Sequence, residues 1–238
     1  MTCARNETVA DSPKLDIKSI VSEGLTQALN SQQAVAASNV ARLRRVHPDK
    51  SPAELISYLN KAYLGAVTLT GAAAGAAAIV PNIVVQVPAA VGDLLSFLEA
   101  SVLYILSIAE VHSVHLEDAE KRKLLVMTVL IGDTAAARVF DGLIEKTVPY
   151  WGKLIVEKIP MAAIDRANKI LGPRFITKYG TKQGTLVLGK QVPAAIGVAI
   201  GAGGNHIFGW GTIRAARRIL GPPPDAWPLP VGDKPTAG

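Results

Sequence analysis

With one cysteine, Cys3, in 238 residues, the chain has no second thiol to pair with it. An internal disulfide framework and a multi-cysteine zinc site are both excluded, which fits a reducing compartment. Aromatic side chains are scarce, at 5%, and charged ones make up 18% against 49% hydrophobic, with a mean hydropathy of +0.28. Much of that apolar excess is alanine and glycine. Such a composition favours helices that approach closely over a core filled with bulky rings. Strand-like alternation of apolar and polar residues is missing along the chain. Met1 to Lys14 has no apolar run after its charges, so no secretory signal is expected and the chain is expected to stay inside the cell.

Catalytic signatures are missing too. There is no Gly-x-Ser-x-Gly elbow and no His-Glu-x-x-His pair. The run from Gly180 to Thr185 has the look of a phosphate loop, but no lysine follows its second glycine. Gly201-Ala202-Gly203-Gly204 puts His206 where a dinucleotide fingerprint needs its third glycine. His112 and His115, beside Glu110, Glu117 and Asp118, offer metal ligands at i, i+3 spacing, but a solvated junction between two helices accounts for them more simply. His47-Pro48-Asp49 matches the loop tripeptide of J-domain co-chaperones, in surroundings that read as a plain proline turn. The expectation is therefore a non-enzymatic chain with no cofactor and no metal, a site assembled from residues distant in sequence being left open.

What is present is a succession of helical patterns. Residues 1–13 read as a frayed lead-in. A first helix runs from about Leu15 to Val46, with a break expected near Asn30-Ser31, and Pro48 stops it. Ser51-Pro52-Ala53-Glu54 combines an N-cap serine, proline at the first helical position and glutamate three residues after the cap. From Ala62 to Gly92 there is no charged side chain, a stretch long enough to cross a bilayer but cut by Pro81 and Pro88 and weak in leucine and isoleucine. Within it Gly71 and Gly75 form a small-xxx-small pair. Leu94 to Ala109 reads as a buried central helix carrying Glu99, expected to be a buried acid.

Further helices are expected at Asp118–Ile131, closing at Gly132, at Thr134–Thr147, and at Pro160–Leu171, ended by Gly172-Pro173. In the last quarter Gly189, Pro193, Gly197, Gly201, Asn205 and Gly209 recur every four residues, drawing a bare stripe down one helical surface. Gly71, Gly75, Gly197 and Gly201 are the expected sites of close helix packing. Trp210, Arg214, Arg217 and Arg218 follow, a basic segment beside aromatics that suits the surface of an anionic membrane. Gly221-Pro222-Pro223-Pro224 ends the helix, and residues 221–238 read as a proline-rich tail after one helical domain over residues 14–220.

Taken together, Leu69-Thr70-Gly71-Ala72-Ala73-Ala74-Gly75, the apolar helix into Ala109-Glu110-Val111-His112, the Leu116-Glu117-Asp118 restart and the segment from Gly201 to Arg218 resemble the bacterial EcsC family. The likeness spans about Val40 to Leu220. It implies an α-helical protein, often called membrane-associated, whose biochemical activity is not established, and it supplies no catalytic residues. Where family members commonly read tyrosine-glycine, this chain has His112-Ser113, which removes the usual helix-ending glycine.

The composite expectation is an all-α bundle of about seven to nine helices at the cytoplasmic face of a membrane, peripheral or integral. It would meet lipid through its Gly/Ala-rich helices and its basic helix. The alternative is a cytoplasmic helical domain with a hydrophobic cavity for a lipid-like ligand. A membrane or anionic lipid is the expected partner, with a homo-oligomer kept as a candidate assembly. The net charge of +6 agrees with an anionic partner. The basic residues Arg166, Lys169, Arg174, Lys178, Lys182 and Lys190 lack the aromatic interleaving that nucleic-acid binding favours, so nucleic acid is not the expected partner.

Overall fold

The computed structural model describes residues 16–77, 83–132, 139, 159–188 and 194–227. Among these residues there are six helices and no strand: α1 (Ile17–Val46), α2 (Pro52–Ala77), α3 (Ile83–Val111), α4 (Ala119–Ile131), α5 (Met161–Leu188) and α6 (Ala194–Leu220). The all-helical class is as expected. Six described helices stand against seven to nine expected, and the helix expected at Thr134–Thr147 falls outside the described residues apart from Val139.

Local chemistry explains where these helices begin. The Asp16 carboxylate accepts from the Lys18 amide at 3.0 Å and opens α1. At α2 the capping box is closed both ways: the Ser51 amide donates to Glu54 Oε2 at 2.9 Å, and the Glu54 amide donates to Ser51 Oγ at 3.3 Å. Those bonds from the Ser51 amide and then its hydroxyl hold the Glu54 carboxyl below its ordinary range. Asp118 accepts from the amides of Glu120 and Lys121 at the start of α4, and Gly132, at φ 63°, ends that helix in the left-handed conformation.

α3 ends without a glycine. Ser113 takes the left-handed position instead, at φ 58°. Around it the Val114 amide donates to Ala109 O at 2.9 Å and the Ser113 amide to Glu110 O at 3.0 Å, the paired bonds of a Schellman turn. The turn is thus made by hydrogen bonding and tertiary packing in spite of the Cβ, which costs roughly 1–2 kcal/mol in that conformation.

Two helices run through prolines whose local chemistry favours a stop. α5 continues past Gly172-Pro173 to Leu188, because Ile164, Ala167, Leu171, Phe175 and Tyr179 form one buried stripe across the proline. Pro173 itself is exposed, so the carbonyl that loses its amide partner faces water. α3 likewise contains Pro88, which lies near its start and outside the protein's interior. α1 is unbroken at Asn30-Ser31, its buried stripe running from Val21 through Leu29 and Ala36 to Leu43.

The core is built around α3, against which α1, α2, α4, α5 and α6 all pack. From Phe97 to Val111 it is buried on most sides, with Phe97, Leu98, Val102 and Ile105 fully enclosed. Its stretch Pro88–Val111, with mean hydropathy 1.8, is the one described span long and apolar enough to cross a membrane, but 67% of it is buried inside the protein. Its apolar surface is therefore already covered by neighbouring helices. α4 and α5 are joined by polar ties: Lys178 Nζ donates to Leu130 O and Ile131 O at 2.8 Å each, satisfying carbonyls at the end of α4. Tyr179 Oη adds a bond to Leu130 O at 3.1 Å.

Glycine at the Ser113 position removes the left-handed penalty at a small entropic cost, so Ser113→Gly will stabilise the fold by about 0.5–1 kcal/mol, read from urea unfolding. Separately, NMR titration of the Glu54 carboxyl will place its midpoint below the ordinary value of 4.5. A folded-state value depressed in this way means that the capping box stabilises α2 above the unfolded midpoint and loses that contribution as pH falls through the folded one.

Candidate functional site

α2 and α6 lie antiparallel in the most extensive contact among the described helices, and their glycines are the reason. A methyl group built on Gly71 would run into the carbonyl oxygen of Gly201, and one on Gly201 would meet the carbonyl of Gly71 and come within 3.3 Å of Gly75 Cα. Further along, one on Gly209 would fall 3.0 Å from Val67 Cγ2. The structure thus places Gly71, Gly75 and Gly201 against one another. Gly197 lies on α6 one turn before Gly201, but its surroundings fall outside the described side chains, as do Gly189 and Pro193 entirely.

The closeness also brings a side chain across. Asn205 sits over Gly71 and donates from Nδ2 to Asp93 Oδ1 at 2.7 Å, joining α6 to α3 beneath α2. Both residues are buried, at 2% and 6% exposure. The buried acid is therefore Asp93. Glu99, expected to fill that role, is exposed. The helical phase explains the exchange: Asp93 shares the inward face with Phe97 and Ser101, while Glu99 falls with Gly92 on the outward edge of α3.

With Gly201, Asn205, Gly209 and Thr212 turned inward, the opposite side of α6 faces solvent. Ile207 is 72% exposed and Trp210 51%. Gly203, Ile207, Trp210, Arg214 and Arg218 fall on this one outward face, at helical spacings of three and four. Phe208 turns the other way, against Phe97 and Tyr179. Arg214 and Arg218 form no ion pair with any described residue. On α2, Leu69 is 72% exposed, about level with Ile207 given the antiparallel register.

Arg217, seven residues on from Trp210, lies at one edge of this outward face. It is exposed, but it lines a cleft of about 250 Å³ at the start of α2. Three helical stripes converge there: Ile56, Ser57 and Asn60 from α2, Tyr104 and Ile108 from α3 with His112 just past its end, and Ile213 and Arg217 from α6, with Pro223 beside them. The Tyr104 hydroxyl donates to Asn60 Oδ1 at 2.8 Å, and its ring stacks on Tyr63 at 4.4 Å. Burial pushes the Tyr104 phenol well above its ordinary range, the nearby Tyr63 adding to the rise and the Arg217 charge opposing it. Tyr63, bonded to Ser101 at 2.7 Å, is raised by burial to about 12. Both phenols stay protonated at neutral pH, and that of Tyr104 acts as a donor.

The remaining motifs find structural uses. His112 is buried on the cleft wall, whereas His115 points outward to Glu110 at 3.2 Å, so the two do not converge. Among the described residues no group of three or more His, Cys, Asp or Glu side chains is placed to hold a metal ion. His47-Pro48-Asp49 forms the turn between α1 and α2, where the indole of Trp227 donates to Lys50 O at 2.8 Å and Arg44 lies 4.3 Å over its ring. The proline-rich segment is anchored there. Gly180 to Thr185 lies within α5 and makes no loop. Arg166, Lys169 and Arg174 are exposed on α5, while Lys178 caps α4.

No family model, curated protein or solved structure matches the chain, so the likeness to the EcsC family rests on the residues quoted for it.

The glycines divide into two kinds, and substitution will separate them. Gly71→Ala, forced against the Gly201 carbonyl, will cost about 1–3 kcal/mol of unfolding free energy by overpacking. Gly203→Ala, with open space around the new methyl, will instead stabilise α6 by about 1 kcal/mol through helix propensity. Thermal and urea unfolding of the two variants read both signs.

Proposed function

We propose that this protein is a non-enzymatic, membrane-associated member of the EcsC-like group that sits peripherally on the cytoplasmic face of a membrane, with the outward face of α6 against anionic lipid. One observation carries the reading: Ile207 and Trp210, largely exposed, share a helical face with Arg214 and Arg218, which have no acidic partner among the described residues. An indole and a branched aliphatic side chain can enter the headgroup boundary while guanidinium groups beside them meet phosphate. The +6 net charge acts in the same direction.

The glycine- and alanine-lined faces, once candidates for lipid contact, have a different part. Gly71, Gly75 and Gly201 cover each other, so contact with lipid falls to Ile207, Trp210 and the two arginines, with Leu69 on the neighbouring helix. A peripheral arrangement is favoured over a spanning one because the most apolar helix, α3, has its surface engaged by the other helices.

Co-sedimentation with vesicles tests this. The chain will bind vesicles containing phosphatidylglycerol and not those of phosphatidylcholine alone, and salt will weaken binding. Since each surface arginine near anionic lipid is worth about 1 kcal/mol, reversing Arg214 and Arg218 to Glu will weaken binding about thirtyfold or more. Trp210→Ala will weaken it with the charge intact. Recovery of the wild-type chain wholly in the supernatant would reject the proposal.

A further inference from the structure

We propose that the cleft between the start of α2 and the ends of α3 and α6 binds a small organic carboxylate, held at its anionic end by Arg217 and along its apolar body by Ile56, Ile108 and Ile213. The cleft borders the outward face of α6 at Arg217, but the inference does not depend on lipid binding.

The chemistry of the lining selects the ligand. Among the described residues no aspartate or glutamate lines the cleft. The Arg217 guanidinium has no acidic partner among the described residues, although it lies close enough to Tyr104 to oppose the rise in that phenol's pKa. Asn60 uses its carbonyl oxygen to accept from Tyr104, which leaves its amide NH₂ without an acceptor, and the Ser57 hydroxyl is also unbonded among the described residues. A guanidinium, an amide and a hydroxyl therefore border one space, beside the His112 ring, with no acceptor of their own among the described residues. A cationic ligand would be repelled by Arg217 and would find no counter-charge. A carboxylate matches the two-pronged guanidinium and takes the remaining donors.

The walls define the rest of the molecule. Ile56, Ile108 and Ile213 are buried at 9%, 3% and 4% exposure, and they face the cleft from three different helices. A bare inorganic anion would leave those walls unfilled. The volume of about 250 Å³ equals roughly eight molecules of liquid water. That suits one ring or a short chain bearing a single acid and is too small for a two-chain phospholipid.

Binding is to be measured on the full chain by nitrogen–proton NMR and calorimetry, with benzoate and hexanoate as probes, benzyl alcohol and 1-hexanol as their neutral counterparts, and inorganic phosphate as the bare anion. At least one acid will bind saturably, shifting the side-chain amide of Asn60. Its alcohol will bind at least tenfold more weakly, as will phosphate. Arg217→Gln, at an exposed position and checked by circular dichroism to be folded, will lose tenfold or more in affinity for the acid, a charged hydrogen-bonded pair being worth about 1.5–3 kcal/mol. Arg166→Gln, at an exposed position on α5 away from the cleft, will bind as the wild type does. The proposal is overturned if neither acid binds at millimolar concentration, if phosphate binds as tightly as the acids, or if Arg217→Gln binds the acid as well as the wild type.

Discussion

The contact of backbone on backbone where α2 crosses α6 is the constraint from which the rest of the molecule follows. At Gly71 and Gly201 neither helix has room for a single methyl group. Helices that approach this closely gain dispersion contacts along their main chains and fix their rotation about their own axes, because only the glycine edges can meet. The contact also leaves a gap that Asn205 fills, and through it α6 bonds to Asp93 on α3. A buried amide and a buried carboxyl satisfy one another there, which makes the rotation of α6 a matter of hydrogen bonding as well as packing.

Once that rotation is set, the functional surfaces follow by helical geometry. Asn205, Gly209 and Thr212 must face inward, so Ile207, Trp210, Arg214 and Arg218 must face out. Ile213 falls between these two directions and Arg217 at the edge of the outward one, where α6 passes the start of α2, and there they help enclose the cleft. A rotation of α6 by one residue would carry Trp210 and Arg217 together, because they are seven residues apart. The proposed lipid face and the proposed carboxylate site thus depend on the same packing contact, though their chemistry is separate.

Much of the helical framework was legible in the residues because its signals are local. The Ser51–Glu54 box, the Asp118 cap and the Gly132 stop each involve bonds within one turn, and the structure places a helix boundary at each. The prolines misled for the opposite reason. Pro173 carries a local cost that long-range burial outweighs, and the stripe from Ile164 to Tyr179 shows the burial that keeps α5 intact. Ser113 follows the same logic: a residue ill suited to φ 58° is held there by the turn's hydrogen bonds and the packing around Val114. Glu99 was misplaced because its apolar neighbours suggested burial, although the phase of the helix sets it opposite Phe97 and leaves the interior to Asp93.

By itself the sequence determined the helical class, the caps that begin α2 and α4, and the presence of a bare stripe followed by arginines, since these depend on composition and on neighbours three or four residues apart. Only the tertiary structure decided what the stripe touches, that a cleft opens beside Arg217, and that Asp93 rather than Glu99 is enclosed. Those outcomes rest on contacts between residues such as Asn60 and Tyr104, or Asp93 and Asn205, 44 and 112 positions apart. No local rule links such residues, because their meeting is fixed by how whole helices rotate and pack.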